Sequence, residues 1–169
     1  MPDRQLPQRS PANGRQRPKP PRARNGRTLT PDLGVLDHHL GYFIRRVQLW
    51  VFQDFIRTLA AIDIRPAQYS VLVMIAANPG FSQSDIAETL GIERARVVRL
   101  LDRLEKRGLT RRLASPVDRR SHTLRLTREG QRILKRAQAL AAQHEMRLAE
   151  RMGKDQYRAT MNSFRNAFR

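Results

Sequence analysis

Two groups of arginines are spaced so that they can act together. In ERARVVRLLDRLEKRG, residues 93–108, Arg94, Arg96, Arg99 and Arg103 fall on helical positions left over once Val97 and Leu100 are turned inward. In ASPVDRRSHTLRLT, residues 114–127, Asp118 stands directly before Arg119 and Arg120. Both groups offer the guanidinium fork, whose fixed donors match the paired oxygens of a phosphate and the O6/N7 edge of guanine. The acid in the second group has a reason of its own. A bare arginine loop binds phosphate in many poses, whereas a carboxylate beside it restricts the guanidinium through a bidentate pair. An ordinary ion pair at a solvated loop tip is the plainer reading of the same residues.

Bond-breaking chemistry has no comparable support. No paired carboxylates, phosphate-cradling glycine loop or Ser/His/Asp set occurs at usable spacing, so an enzyme is not expected. Cysteine is absent, which removes thiolate catalysis, disulfides and thiolate-rich zinc sites. Of the four histidines only two are adjacent and none pairs with another at i, i+4, so neither a metal nor another cofactor is expected. A net charge of +18 suits a polyanion, nucleic acid first and anionic membrane second. No apolar run approaches the roughly 20 residues of a bilayer span, and the N-terminus has no secretory pattern. A soluble, cytoplasmic protein without a membrane partner is the expectation.

The elements that must position these arginines follow from periodicity. Residues 1–31 hold seven of the ten prolines, seven arginines, one lysine and a single acid, Asp3; they read as a disordered basic arm. Its GRQRPKP, residues 14–20, resembles the Arg-Gly-Arg-Pro core of an AT-hook, but Gln16 stands where the hook has glycine. Non-specific phosphate attraction is the favoured reading of the arm, beside a solubilising tail. From residue 33 to about 62, Leu36, Leu40, Phe43, Val47 and Val51 recur at helical steps. Pro66 opens a second helix that Asn78, Pro79 and Gly80 end. Ser82 caps a third, short helix and Gly108 closes a fourth, with Ala87 allowing close helix approach and Gly91 supplying the turn between them. Leu109, Arg111 and Leu113, then Leu124 and Leu126, alternate like the strands of a hairpin whose loop carries Asp118 to Arg120. Thr127 caps a fifth helix reaching about Met152, and Gly153 separates a sixth striped by Tyr157, Met161, Phe164 and Phe168.

PAQYSVL, GFSQSDIAETLGI, VVRLLDRLEKRGLTRR, PVDRRSHTLRLT and REG follow, in order and spacing, the pattern of the MarR family of winged helix-turn-helix transcription regulators. The resemblance covers roughly residues 33–169. It implies a mainly α fold with a small β-hairpin wing, in which a helical dimerisation region accompanies the winged helix-turn-helix. The boundaries expected are a dimerisation helix over 32–65, the DNA-binding module over 66–127 and C-terminal dimerisation helices over 128–169. It further implies a homodimer that presents two modules to a pseudo-palindromic operator in double-stranded DNA. Asp118 and Arg120 match the Asp-x-Arg element of the family's wing, with the arginine entering the minor groove and Arg119 beside it. Arg99 matches the arginine of the recognition-helix pattern and is the expected base contact, while Arg94 and Arg96 read bases or phosphates. Glu93 departs from the usual Ser or Thr cap, and Arg96 from a common Thr. Arg103 reads either as a further contact or as a structural ion-pair partner.

Members of this family are often repressors released by a small aromatic or acidic molecule. His39, Phe43, Arg46 and Trp50 share one face of the first helix, and Tyr69 and His144 can join them. A cation among aromatic walls suits an aromatic carboxylate or a phosphate-bearing thioester. LGYFIRRVQLWVFQDF and DRRSH are similar to regulators of hydroxycinnamate breakdown, some of which sense the aryl acyl-CoA. The plainer reading makes Phe43 and Trp50 core, Arg46 a snorkelling surface residue and His39 a satisfied polar group. The expected function is a ligand-responsive repressor. The alternative is an architectural, nucleoid-type DNA binder with little sequence preference, marked by a steep salt dependence and no preferred site.

Overall fold

The computed structural model describes residues 31–114 and 122–167, and its contacts divide the chain into Met1–Asp37 and His38–Arg169. At the end of the first unit, Asp32 Oδ1 accepts the Gly34 N–H at 2.9 Å as a short 3-10 helix, Gly34–His38, begins. The expected continuous first helix is broken here. His39 is extended (φ −102°, ψ 107°) and the α-helix α1 runs only from Leu40 to Ala60. The four-residue step from Leu36 to Leu40 survives the break, which is why spacing alone reads through it.

In the second unit the order is α1, α2 (Pro66–Ala77), α3 (Gln83–Leu90), α4 (Arg94–Lys106), β1 (Thr110–Ala114), β2 (His122–Leu126), α5 (Arg128–Met152) and α6 (Lys154–Ala167). Helix α2 is apolar on nearly every side, the mark of a helix surrounded by protein. It packs against α1, α3, α4, α5 and β2, and buries Val71, Leu72 and Ile75. Pro66 sits at its first position, where a missing N–H costs nothing, and buried Gln68 accepts the Arg65 N–H at 2.9 Å. Leu59, Ile86, Val97, Leu101, Leu104 and Leu124 complete the centre of the core.

The helix-turn-helix is built locally. Ser82 Oγ accepts the Asp85 N–H at 3.3 Å while Asp85 Oδ2 accepts the Ser82 N–H at 2.7 Å, a reciprocal cap that starts α3. Gly91 then takes the left-handed conformation (φ 59°, ψ 35°) that ends α3 and turns the chain into α4. Ala87 is buried beneath the crossing, as a small residue must be if the two helices are to touch.

The hairpin pairs Thr110 with Leu126, Arg112 with Leu124 and Ala114 with His122, antiparallel. In β2 Leu124 and Leu126 face inward as the alternation of the leucines predicts, but in β1 the phase differs. Thr110 is buried and Arg112 half-buried, while Arg111 and Leu113 are exposed. Leu109 is buried just before β1 begins, so it does not set the alternation of the strand that follows. The Leu124 N–H also donates to the Phe81 carbonyl at 3.0 Å, tying the hairpin to the entrance of α3.

The root of the hairpin is locked to α5. Thr127 Oγ1 accepts the Gly130 N–H at 2.9 Å, and the Thr127 N–H donates to the Leu109 carbonyl at 3.1 Å. A Cβ at residue 130 would lie 1.9 Å from that same carbonyl oxygen, so only glycine fits. Gly153 (φ 85°) separates α5 from α6, and the Tyr157 hydroxyl donates to Glu145 across the bend.

Candidate functional site

Helix α4 divides its residues cleanly. Val97, Leu100, Leu101 and Leu104 face the core, whereas Arg94, Arg96, Arg99 and Arg103 are exposed. None of these four arginines pairs with a carboxylate among the described residues. Arg96, Arg99 and Arg103 lie on one face of the helix, while Arg94, at its first position, projects from another side. Glu93 is its N-cap, and its side chain makes no capping hydrogen bond. The departure from a Ser or Thr cap thus leaves the first amides of α4 without a side-chain partner from that position.

The two acids of α4, Asp102 and Glu105, would oppose this basic face if left bare. Arg112 of β1 takes up both: its guanidinium lies 2.6 Å from Asp102 Oδ1 and also binds Glu105, whose Oε1 accepts the Arg112 N–H at 3.3 Å. The structural ion-pair role considered for Arg103 belongs to Arg112. Two acids at i, i+3 on an otherwise basic helix were the sequence signature of that need. Asp118, Arg119 and Arg120 lie outside the described residues.

On the other side, α1 places the candidate ligand residues as follows. His39 precedes the helix and is exposed; Phe43 is 39% exposed and meets Tyr42 edge-on at 5.4 Å. Arg46 is exposed and leans on Tyr42, its guanidinium 5.7 Å from the ring and 3.3 Å from the hydroxyl. Trp50 is half-buried under the Arg151 guanidinium of α5, 4.4 Å from the ring centre, an arrangement in which the cation meets the negative face of the indole. Tyr69 stacks edge-on against Phe55 at 5.5 Å, and Phe55 lies 5.0 Å from the His144 ring. Phe43, Arg46 and Trp50 thus lie on one face of α1 with His39 just before the helix, while Tyr69 and His144 gather around Phe55.

A polar knot that periodicity did not reveal joins α1 to α5. Asp54 Oδ2 accepts from His144 Nδ1 at 2.8 Å and from Arg147 at 3.2 Å, and Arg147 also donates to Thr58 at 2.7 Å. The hydrogen bond from His144, with those from Arg147 and Arg57, holds the Asp54 carboxyl below the usual carboxylate range against the opposing effect of burial. Burial, and secondarily the charge of Glu145, pushes the Tyr69 hydroxyl up.

The outward face of α1 is apolar. Ile44, Val47, Phe52 and Ile56 are each more than 40% exposed. With α5 and α6, Ile44, Val47 and Phe52 border a groove of 380 Å³ lined also by Val51, Leu148, Met161 and Phe164. Among the described residues no helix is long and apolar enough to cross a membrane, and no cluster of metal-binding side chains occurs.

The MarR family model matches residues 62–121, from the turn after α1 to the residue before β2. A putative transcriptional regulatory protein for the hcr operon of Thauera aromatica is 33% identical over 146 residues, 83% of this chain and 87% of that protein. The transcriptional repressor CouR, solved bound to a 23-mer DNA duplex, is 46% identical with a TM-score of 0.79, covering 82% of this chain and 99% of that one. CouR bound to p-coumaroyl-CoA is 44% identical with a TM-score of 0.75, covering 82% and 97%. The winged helix-turn-helix and these likenesses agree: the chain belongs to the MarR family and is a transcriptional regulator.

Proposed function

We propose that the chain is a homodimeric repressor that binds a pseudo-palindromic operator in double-stranded DNA and leaves it when an aromatic acid or its CoA thioester binds. The observation that carries this reading is the basic face of α4, unpaired among the described residues, in a chain 46% identical to a repressor solved on DNA and 44% identical to one solved on an aryl-CoA. Arg99 contacts a base edge, Arg94 and Arg96 bases or phosphates, and Asp118, Arg119 and Arg120 form the wing's minor-groove element. Residues 66–127 act as the DNA-binding module; 32–65 and 128–169 pair the two copies. The apolar face of α1 and the groove beside α6 suit a second copy, because an isologous contact buries the same stripe on both chains. Two α4 helices about 34 Å apart then enter successive major grooves.

His39, Phe43, Arg46, Trp50 and Tyr69 are the effector-binding residues of this reading. Ligand shifts the dimer toward an arrangement whose recognition helices are wrongly spaced, by no more than its differential affinity for the two arrangements. The test is footprinting of the full-length protein on DNA upstream of its own gene at moderate salt with competitor, with and without p-coumarate and p-coumaroyl-CoA. Discrete protection lost on ligand addition, and weakened in Arg99→Ala and Arg120→Ala, supports the proposal. Uniform, salt-labile coverage overturns it in favour of architectural binding.

A further inference from the structure

His144 carries a polar atom that the fold leaves unsatisfied. Its side chain is fully buried, with Nδ1 committed to Asp54. Nε2 has no hydrogen-bond partner among the described residues and no contact with solvent. Buried polar groups are nearly always paired, because an unmade bond leaves the full cost of desolvation standing. Every other buried side-chain nitrogen or oxygen of the described residues meets that requirement.

The surroundings say what kind of partner is missing. The Asp54 carboxylate that receives Nδ1 is also held by Arg57 at 3.3 Å and Arg147 at 3.2 Å, so its charge is already compensated by two guanidinium groups. Nδ1 donates to this carboxylate, and Nε2, sealed from solvent, is left to find a partner of its own. Phe55, which also meets Tyr69 edge-on, gives this ring an aromatic neighbour.

We infer that His144 Nε2 accepts the hydrogen bond of a ring hydroxyl on a phenolic effector, and that α1 and α5 part to admit it. The inference rests on the effector reading proposed above. A carboxylate, thioester or phosphate offers only lone pairs, so the acidic end of the molecule cannot take this position. Because Nε2 is sealed in the closed arrangement, only a parted one can pair it. The hydroxyl thereby supplies the differential affinity that a population shift requires. Asp54 to His144 and Thr58 to Arg147 are the bonds that the parting strains, and both run between α1 and α5.

The test titrates p-coumaroyl-CoA, cinnamoyl-CoA and para-methoxycinnamoyl-CoA into the full-length protein, read by calorimetry and by the fluorescence of Trp50, the single tryptophan. The hydroxylated thioester is expected to bind at least about tenfold more tightly than the other two, as a site built to pair a hydroxyl rejects analogues that cannot donate. That preference should vanish in His144→Phe and persist in part in His144→Gln. A second measurement needs no ligand and no variant: nitrogen-15 shifts of the wild-type His144 ring should show a protonated Nδ1 and an unprotonated Nε2. Equal binding of the three thioesters, a preference retained in His144→Phe, or a proton on Nε2 overturns the inference and leaves the aryl-thioester reading intact. Binding of none of the three overturns both.

Discussion

Arg107, at the C-terminal end of α4, donates to the main-chain carbonyl of Asp63 at 2.5 Å, 44 residues earlier in the chain. A second donor reaches the Ile62 carbonyl at 3.4 Å. These carbonyls belong to the turn between α1 and α2, where Asp63 holds a left-handed conformation (φ 49°) uncommon for a non-glycine residue. The last turn of the recognition helix therefore secures the exit from α1. Arg107→Ala is expected to lower unfolding stability by about 1–2 kcal/mol, measured as the shift of the urea midpoint at neutral pH. Arg107→Lys should recover little of it, since one ammonium cannot reproduce the planar fork across two carbonyls.

Arg112 fixes the first hairpin strand to α4 and neutralises Asp102 and Glu105. These groups are a quarter to a half exposed, so the pairs themselves add little to stability. Their larger effect is expected on DNA, where two released carboxylates repel phosphate and the strand loses its fixed angle. Arg112→Ala should weaken operator binding by about tenfold, equivalent to about 1.4 kcal/mol, with a small change in melting temperature. Adding Glu105→Gln should restore part of the loss in anisotropy titrations at constant salt.

Gly130 has no room for a side chain because the obstacle is the Leu109 carbonyl, not a movable side chain. Gly130→Ala must therefore push α5 away from the root of the hairpin, at a cost of about 3 kcal/mol on the scale of overpacked sites. Calorimetry of that variant should show a markedly lower melting temperature. An unchanged one would mean that the junction yields.

Asp54 sets an acid limit. Its folded-state pKa lies below the ordinary carboxylate value, chiefly through the hydrogen bond from His144. A depressed carboxyl contributes stability that is complete above its unfolded pKa and is lost as pH falls through the folded one. The wild-type urea midpoint should therefore fall below about pH 4, and the fall should be shallower in Asp54→Asn. Parallel curves for the two proteins would assign the acid limb to other groups.

Caps and turns were the most legible part of the fold. Ser82, Gly91, Pro66 and Thr127 act where their chemistry requires, because each serves backbone groups within a few residues of itself. The division of α4 into an apolar and a basic face was legible for the same reason, since period alone reports a face. Partners on other elements were not. Arg112 meets carboxylates 7 and 10 residues away, and His144 meets Asp54 across 90; no local pattern records such pairings. The leucine alternation gives the phase of β2 but not that of β1, because Leu109 continues the alternation without belonging to the strand. The sequence offers His144 only as a residue that can join the pocket face of α1; its bond to Asp54 and its idle nitrogen follow from the packing of α1 on α5.

The separation of faces on α4 bears on how such a regulator can change its target over generations. Val97, Leu100, Leu101 and Leu104 hold the helix in place without help from Arg94, Arg96 or Arg99. Exchanges at exposed positions of this kind usually alter stability by no more than about half a kcal/mol. If these arginines read the operator, as proposed above, duplicated copies of the gene can explore new operators one arginine at a time while the scaffold beneath stays folded.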